Sequence, residues 1–228
     1  MEMLDGVACP VELDSRAFTD TALAALRADS WSPGAWARFA ATVARRSGGQ
    51  VAAHPHAAVE LTVLHGLFLA AARGRGRRWI ATSWLMAVTH LGLLGRRRSI
   101  GWPNAISLAR ANLAVTGTPL GRWLGVVAAV SDKLDGALAR QQGPTMFGFY
   151  ADSLADAVFW MWLASRGDPS RPVLAASVAA WAAPVAAMVA ASIAEGEMVE
   201  CPRPALFRPA AAMQVVLAAR TLKGFRPM

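Results

Sequence analysis

The sequence predicts an all-α protein: a polytopic transmembrane helix bundle with an N-terminal amphipathic, peripheral segment. Three observations predict it. The chain of 228 residues is 55% hydrophobic with a mean hydropathy of +0.34, a balance that suits several membrane spans. From residue 57 onward, apolar runs succeed one another with Pro and Gly as punctuation. The formal charge is +8, carried almost wholly by arginines clustered between those runs. Such charge suits cytoplasmic loops or anionic headgroups. A nucleic-acid partner is not expected, because the arginines form no single stripe.

Three segments are predicted. Residues 1–56 form the peripheral one. Ser32-Pro33-Gly34 starts a helix there, and Trp36, Phe39, Ala40 and Val43 continue it with helical spacing. Arg38, Arg45 and Arg46 flank it, so this helix either lies on a membrane surface or packs on the protein. The acidic start, with no long apolar core, does not read as a signal peptide. Residues 57–98 hold two short apolar helices, 57–72 and 79–94. Arginines come after both of them: Arg73, Arg75, Arg77 and Arg78, then Arg96, Arg97 and Arg98. Both basic loops cannot be cytoplasmic if the second run crosses once, so the pair is expected not to span fully. Residues 99–228 form the transmembrane core, with runs at 103–117, 120–139, 147–165, 172–194 and 205–222. Ala-rich stretches such as 175–191 favour close helix packing.

Isolated polar residues are read conservatively. Cys9 and Cys201 lie far apart and are expected to be free thiols. His54 and His56 flank Pro55 and read as surface histidines of a linker. His65 and His90 fall in apolar runs and read as packing or polar contacts. Trp79, Trp84, Trp102 and Trp123 read as interface anchors or packing residues. Arg166 and Arg171 read as loop charges, and Glu195, Glu197 and Glu200 as a solvated acidic loop.

Four aspartates stand out against this background. A carboxylate within an apolar helix is costly unless it faces a partner or water. Asp132 and Asp135 are three apart near the end of one run, so they share a face. Asp152 and Asp156 are four apart near the start of the next and share a face too. Gly143-Pro144 turns the chain between them, which makes the two helices antiparallel neighbours and lets both pairs converge. Four close carboxylates repel one another, and divalent cations remove the conflict. Two such ions can also clamp a diphosphate. Gly136 and Ala139 leave room for a ligand, Arg140 suits a phosphate, and Gly148 permits tight helix packing.

Asp132-x2-Asp135-Gly136-x2-Ala139-Arg140, then Gly148-x3-Asp152-x3-Asp156, resembles the signature of the CDP-alcohol phosphotransferases. Pro103-Asn104-x2-Ser107-x2-Arg110 is similar to the start of that family's first core helix, with Ser where Thr is common. The resemblance covers roughly residues 100–165. It implies an integral membrane enzyme, multi-pass in the cell membrane with its site facing the cytoplasm. Such an enzyme moves a substituted phosphate from a CDP-linked donor such as CDP-diacylglycerol to a polar alcohol and releases CMP, in phospholipid biosynthesis. It implies Mg2+ or Mn2+, two ions held by Asp132, Asp135, Asp152 and Asp156, with Asp156 also the general base. It implies nucleotide or substrate contacts from Asn104, Ser107, Arg110, Gly136, Ala139, Arg140 and Gly148. Membrane lipids would be partners, and family members are often homodimers.

Two departures accompany the resemblance. Seven residues separate Arg140 from Gly148, where the family usually has eight. A deletion inside a helix rotates every later residue by about 100°, and the Gly143-Pro144 loop is expected to absorb it. Five apolar runs come after Pro103, where the family core usually has six helices. Two other readings compete: an intramembrane prenyltransferase with an Asp-rich magnesium-diphosphate site, and a non-enzymatic scaffold or transporter. The first has Asp clusters far apart in sequence, and the second needs acids spread along a path at the midplane.

Overall fold

The structure, a computed structural model, describes residues 15–167, 170–199 and 208–224. Cys9 and Cys201 lie outside them, as does Glu200. Every regular element among the described residues is helical. The order is α1 (Ser15–Ala28), α2 (Pro33–Ala53), α3 (Pro55–Ala71), α4 (Arg77–Thr89), a 3-10 segment (Leu91–Leu94), α5 (Gly101–Thr116), a second 3-10 segment (Thr118–Trp123), α6 (Leu124–Gln142), α7 (Met146–Gly167), α8 (Arg171–Glu195) and α9 (Arg208–Gly224).

The helix starts reflect the chemistry of their first residues. Ser32 accepts a bond from the Ala35 amide and Pro33 opens α2, because a proline at the first helical position sacrifices an amide that has no partner there. Pro55 opens α3 in the same way. The predicted linker between them shrinks to His54. That histidine is buried, not at the surface: Nδ1 contacts the Gln50 carbonyl at 2.9 Å and Nε2 the Gly95 carbonyl at 2.8 Å. Its two ring nitrogens tie the end of α2 to the segment before α5, which corrects the surface reading. His56 is exposed beside Glu60, as expected. His65 joins Leu61 and Ser83 in the interior, whereas His90 is exposed and bonds only within its own stretch of chain.

The run predicted over 120–139 begins later as a helix. A 3-10 turn with Gly121 at φ 51° and ψ −127° precedes Leu124, and α5 meets the next segment at 118°. The α6–α7 connection also differs from expectation. It is only Gly143-Pro144-Thr145, yet α6 and α7 touch each other little; α5 packs extensively against both and lies between them. The bend after α5 lets α6 fold back along it. α9 then closes on α6 and α7, and α8 packs on α7 and α9.

Two apolar clusters hold the bundle. Leu124, Phe159, Trp160, Leu163, Trp181 and Leu217 join α6 to α9, with Phe159 and Trp160 packed edge to face at 5.1 Å. Leu61, Val88, Leu91, Leu108 and Phe147 join α3, α4, α5 and α7. Close approach between helices depends on glycine. A Cβ on Gly125 would lie 3.0 Å from the Ala218 Cα on α9, and one on Gly76 would lie 2.3 Å from Val115. An apolar cavity of about 350 Å³ opens between α4, α5 and α7.

Large apolar side chains also face outward. Val59, Val63 and Leu67 form a stripe along α3, and Val178, Val185, Val189 and Ile193 lie exposed on α8. Among the described residues, α8 is the one helix that is by itself long and apolar enough to cross a membrane, with 25 residues and a peak hydropathy of 2.0. The bent α5–α6 pair passes the same test jointly, and α3 is apolar but shorter.

Candidate active site

Four helices supply one cluster of polar side chains. α6 brings Asp132 and Asp135, α7 brings Asp152 and Asp156, α5 brings Ser107 and Arg110, and α9 brings Gln214. The spacings of three and four residues put each pair on one helix face. The faces converge on Arg110, whose guanidinium has no exposure at all. Its Nη1 donates to Asp135 Oδ2 at 3.0 Å, and its Nη2 donates to Asp152 Oδ1 and lies 3.8 Å from Asp132 Oδ1. Its Nε lies 2.8 Å from Asp156 Oδ1, an ion pair whose angle falls short of a hydrogen bond. A buried arginine survives because every face of its planar fork meets a carboxylate.

Exposure ranks the carboxylates. The side chain of Asp135 is 4% exposed, Asp156 16%, Asp132 22% and Asp152 44%. Asp135 is the rear member: Oδ2 takes both the Arg110 bond and a 2.7 Å bond from the Ser107 hydroxyl. Asp132, Asp152 and Asp156 stand nearer the opening, and each offers an oxygen within 4.8 Å of the others. One guanidinium against four carboxylates leaves the cluster net acidic. An all-oxygen, net acidic donor set fits a hard divalent ion such as Mg2+ or Mn2+.

The other predicted residues fall in three places. Asn104 is buried; its amide donates to the Ile100 carbonyl at 2.7 Å and its Nδ2 lies 3.4 Å from the Thr145 hydroxyl. Thr145 in turn accepts from the Gly148 amide at 2.9 Å and so caps α7. Ser107 and Arg110 lie against the carboxylates rather than at an open surface. Gly136, Ala139 and Arg140 run along the last turns of α6, where a Cβ on Gly136 would meet only Arg140 Nη1, at 3.5 Å. That face is open.

Gly148 has a specific structural task. A Cβ there would stand 2.4 Å from Asn104 Oδ1, too close for any side chain. Gly148→Ala is therefore expected to displace the buried Asn104 side chain from its bond to Ile100 and to cost about 1–3 kcal/mol, the usual penalty of overpacking. Chemical denaturation of the two proteins in detergent checks it.

Gln214 is a member of the site that the motifs do not single out. Its Nε2 donates to Asp156 Oδ2 at 2.6 Å, so it fixes one oxygen of Asp156 while Arg110 faces the other. The sequence does carry a signal for it: Gln214 is the one polar residue between Arg208 and Arg220 on α9.

The model of one protein family, CDP-alcohol phosphatidyltransferase, matches residues 101–222. The match begins with α5 and takes in every helix that builds the cluster. No curated protein and no solved structure matches the chain. Members of the family transfer a phosphate-linked group from a CDP-alcohol, which sets aside the prenyltransferase and scaffold readings. The matched segment spans more than half of the chain and contains both aspartate pairs in their expected order, so this chain belongs to the CDP-alcohol phosphatidyltransferase family and is a phosphotransferase.

Proposed function

We propose that the protein is an integral membrane enzyme of phospholipid biosynthesis. It transfers the phosphatidyl group of CDP-diacylglycerol to a polar alcohol and releases CMP. One observation carries the reading: carboxylates from α6 and α7, set within the family match, converge on one face of α5.

Asp132, Asp152 and Asp156 are the residues suited to hold Mg2+ or Mn2+, with Asp135 behind them completing the acidic site. When bound, the ions would supply positive charge to the diphosphate and to the charge that develops on it. The chain's own residues do the rest. The acceptor hydroxyl oxygen forms a bond to the phosphorus that carries diacylglycerol. The bond from that phosphorus to the CMP oxygen breaks, and CMP leaves with the electron pair. Asp156 takes the hydroxyl proton, a task for a carboxylate within hydrogen-bond reach of the acceptor. Gln214 holds Asp156 Oδ2 in place and leaves its rotamer little freedom. The open turn at Gly136, Ala139 and Arg140 receives the nucleotide, with Asn104 at the α5 end of the same mouth. Arg110 and Ser107 keep the carboxylates gathered.

The membrane reading rests on α8 and on the exposed apolar stripes of α3 and α8. Outward-facing valines and leucines at helical spacing bury their surface only against lipid or another subunit. A multi-pass arrangement with the acidic mouth towards the cytoplasm, where CDP-linked donors are made, suits the arginine-rich segments 73–78 and 96–98. α3 has 17 residues and α4 has 13, about 25 and 20 Å at 1.5 Å per residue, short of a full crossing. The N-terminal segment and a homodimer contact complete the proposed assembly.

The test is reconstitution in liposomes containing CDP-diacylglycerol, with Mg2+ or Mn2+ and a panel of alcohols: glycerol phosphate, inositol phosphate, serine and a lipid alcohol. CMP release is expected with one acceptor class. Folded protein that releases no CMP with any acceptor contradicts the reading.

A further inference from the structure

We infer that two residues outside the family match, Arg97 and Glu60, are positioning residues that set the mouth of the active site. The inference rests on the proposed transfer reaction for its kinetic readout but not for its structural one.

Three helix ends meet at one end of the bundle: the start of α5, the end of α6 and the start of α7. Each carries part of the site. Arg97 Nη2 donates to the Gln142 carbonyl at 2.7 Å and to the Gly143 carbonyl at 2.9 Å. The last carbonyls of a helix have no partner within it, and a guanidinium there also meets the negative end of the helix dipole. Gly143 makes this possible twice over. Its φ is 84°, and a Cβ on it would lie 2.8 Å from the Arg97 nitrogen. Beyond Gly143 come Pro144 and then Thr145, the cap of α7, which Asn104 of α5 approaches.

Glu60 on α3 holds the other side. Its carboxylate accepts from the Ser99 hydroxyl at 2.8 and 2.9 Å and from the Ile100 amide at 2.8 Å. Ile100 is the cap residue just before α5, one turn before Asn104. Arg97 and Ser99 are two residues apart on one short segment. The short segment 97–100 is therefore held by hydrogen bonds to α3 on one side and to the α6–α7 turn on the other.

That turn lies in the connection that is one residue shorter than the family's usual spacing. A change of one residue in the phase of α7 would swing Asp152 and Asp156 by about 100° away from Asp132. Three residues of turn leave little slack, so the geometry at Gln142 and Gly143 determines where α7 starts. Arg97 fixes that geometry from outside the matched segment, and Glu60 fixes the stretch of chain that carries Arg97. The N-terminal helices thus act on the site without contributing a side chain to it.

Arg97→Ala, Arg97→Lys and Glu60→Gln test the inference in the full-length protein in nanodiscs. Amide hydrogen exchange of residues 141–148 is read first. It is expected to rise about tenfold in Arg97→Ala, less in the other two, as a latched segment gains local opening. CMP release is read next, with the acceptor identified by the panel. KM for CDP-diacylglycerol is expected to rise about tenfold with kcat within about threefold, because misplacement of a binding mouth weakens productive positioning. Arg97→Lys is expected to recover part of the loss. If Arg97→Ala fails to fold, the same comparison is made with Arg97→Lys and Glu60→Gln. Unchanged exchange overturns the inference, as does a rise in exchange with KM unmoved, or an equal fall in activity for every variant with no KM change. A wild-type protein that releases no CMP removes the transfer reading alone, and the exchange comparison still decides the latch.

Discussion

Asp156→Asn is expected to stop the transfer, lowering kcat by about 10²–10⁴-fold, the range that a positioned general base contributes. The substitution preserves shape. An asparagine oxygen can still accept from Gln214, which now donates to Asp156 Oδ2 at 2.6 Å. The amide cannot take the acceptor's proton, and it offers a weaker, uncharged ligand to a metal. These two losses separate experimentally. Raising Mn2+ to saturation compensates for weakened metal binding but does not supply a base. The expected result is that CMP release stays low at saturating Mn2+, with the fold intact by circular dichroism. Full recovery with added metal would assign Asp156 a metal-holding role alone. The same logic makes Gln214→Ala a milder variant, since it frees one oxygen of Asp156 but leaves the carboxylate.

Arg110→Met is expected to destabilise the metal-free protein by about 3–5 kcal/mol, the cost of leaving buried charge without its partner. Four aspartates lie around this one guanidinium. Methionine keeps much of the volume and none of the charge, so mutual repulsion between α6 and α7 is no longer offset. Divalent cations deliver charge to the same oxygens. The loss should therefore be largest in chelator and should shrink as Mg2+ or Mn2+ is added, because a ligand that binds only the folded state stabilises it by an amount that grows with the logarithm of its concentration above Kd. Thermal unfolding with and without chelator checks this. Wild type is expected to depend on metal far less than the variant. An equal melting temperature for both proteins in chelator would show that Arg110 does not neutralise the cluster.

The sequence discloses the helices through their apolar periodicity and punctuation, and the aspartate pairs through the cost of charge in such runs. Ser32-Pro33 and Pro55 mark helix starts because their effect is local. The arrangement around Arg110 is of another kind. Its four partners lie on two helices that each have several exposed and buried neighbours, and no spacing along α5 states which helices flank it. The loop at 143–145 suggests that α6 and α7 lie side by side. The bend after α5 places α5 between them instead, and it falls at Gly117, just before the 3-10 turn that contains Gly121. His54 misleads because one of its two partners is the carbonyl of Gly95, a residue 41 positions away. α1 is not among the predicted helices, although its 14 residues are amphipathic and the sequence does carry that signal. Gln214 is legible as the lone polar residue in its run, but its partner is set by tertiary packing.

The measurement that bears most directly on the central claim is CMP release by chelator-stripped enzyme in CDP-diacylglycerol liposomes as Mg2+ is added back. With the acceptor present, the stripped enzyme is expected to be silent. Activity should return along a saturable curve, and Asp152→Asn should shift that curve to higher Mg2+. Asp152 is the most exposed of the carboxylates and one of the three whose oxygens can share an ion. Full CMP release by the stripped wild-type enzyme, unaffected by added Mg2+ or by the substitution, would contradict the assignment of the aspartate cluster as a metal-dependent phosphotransfer site.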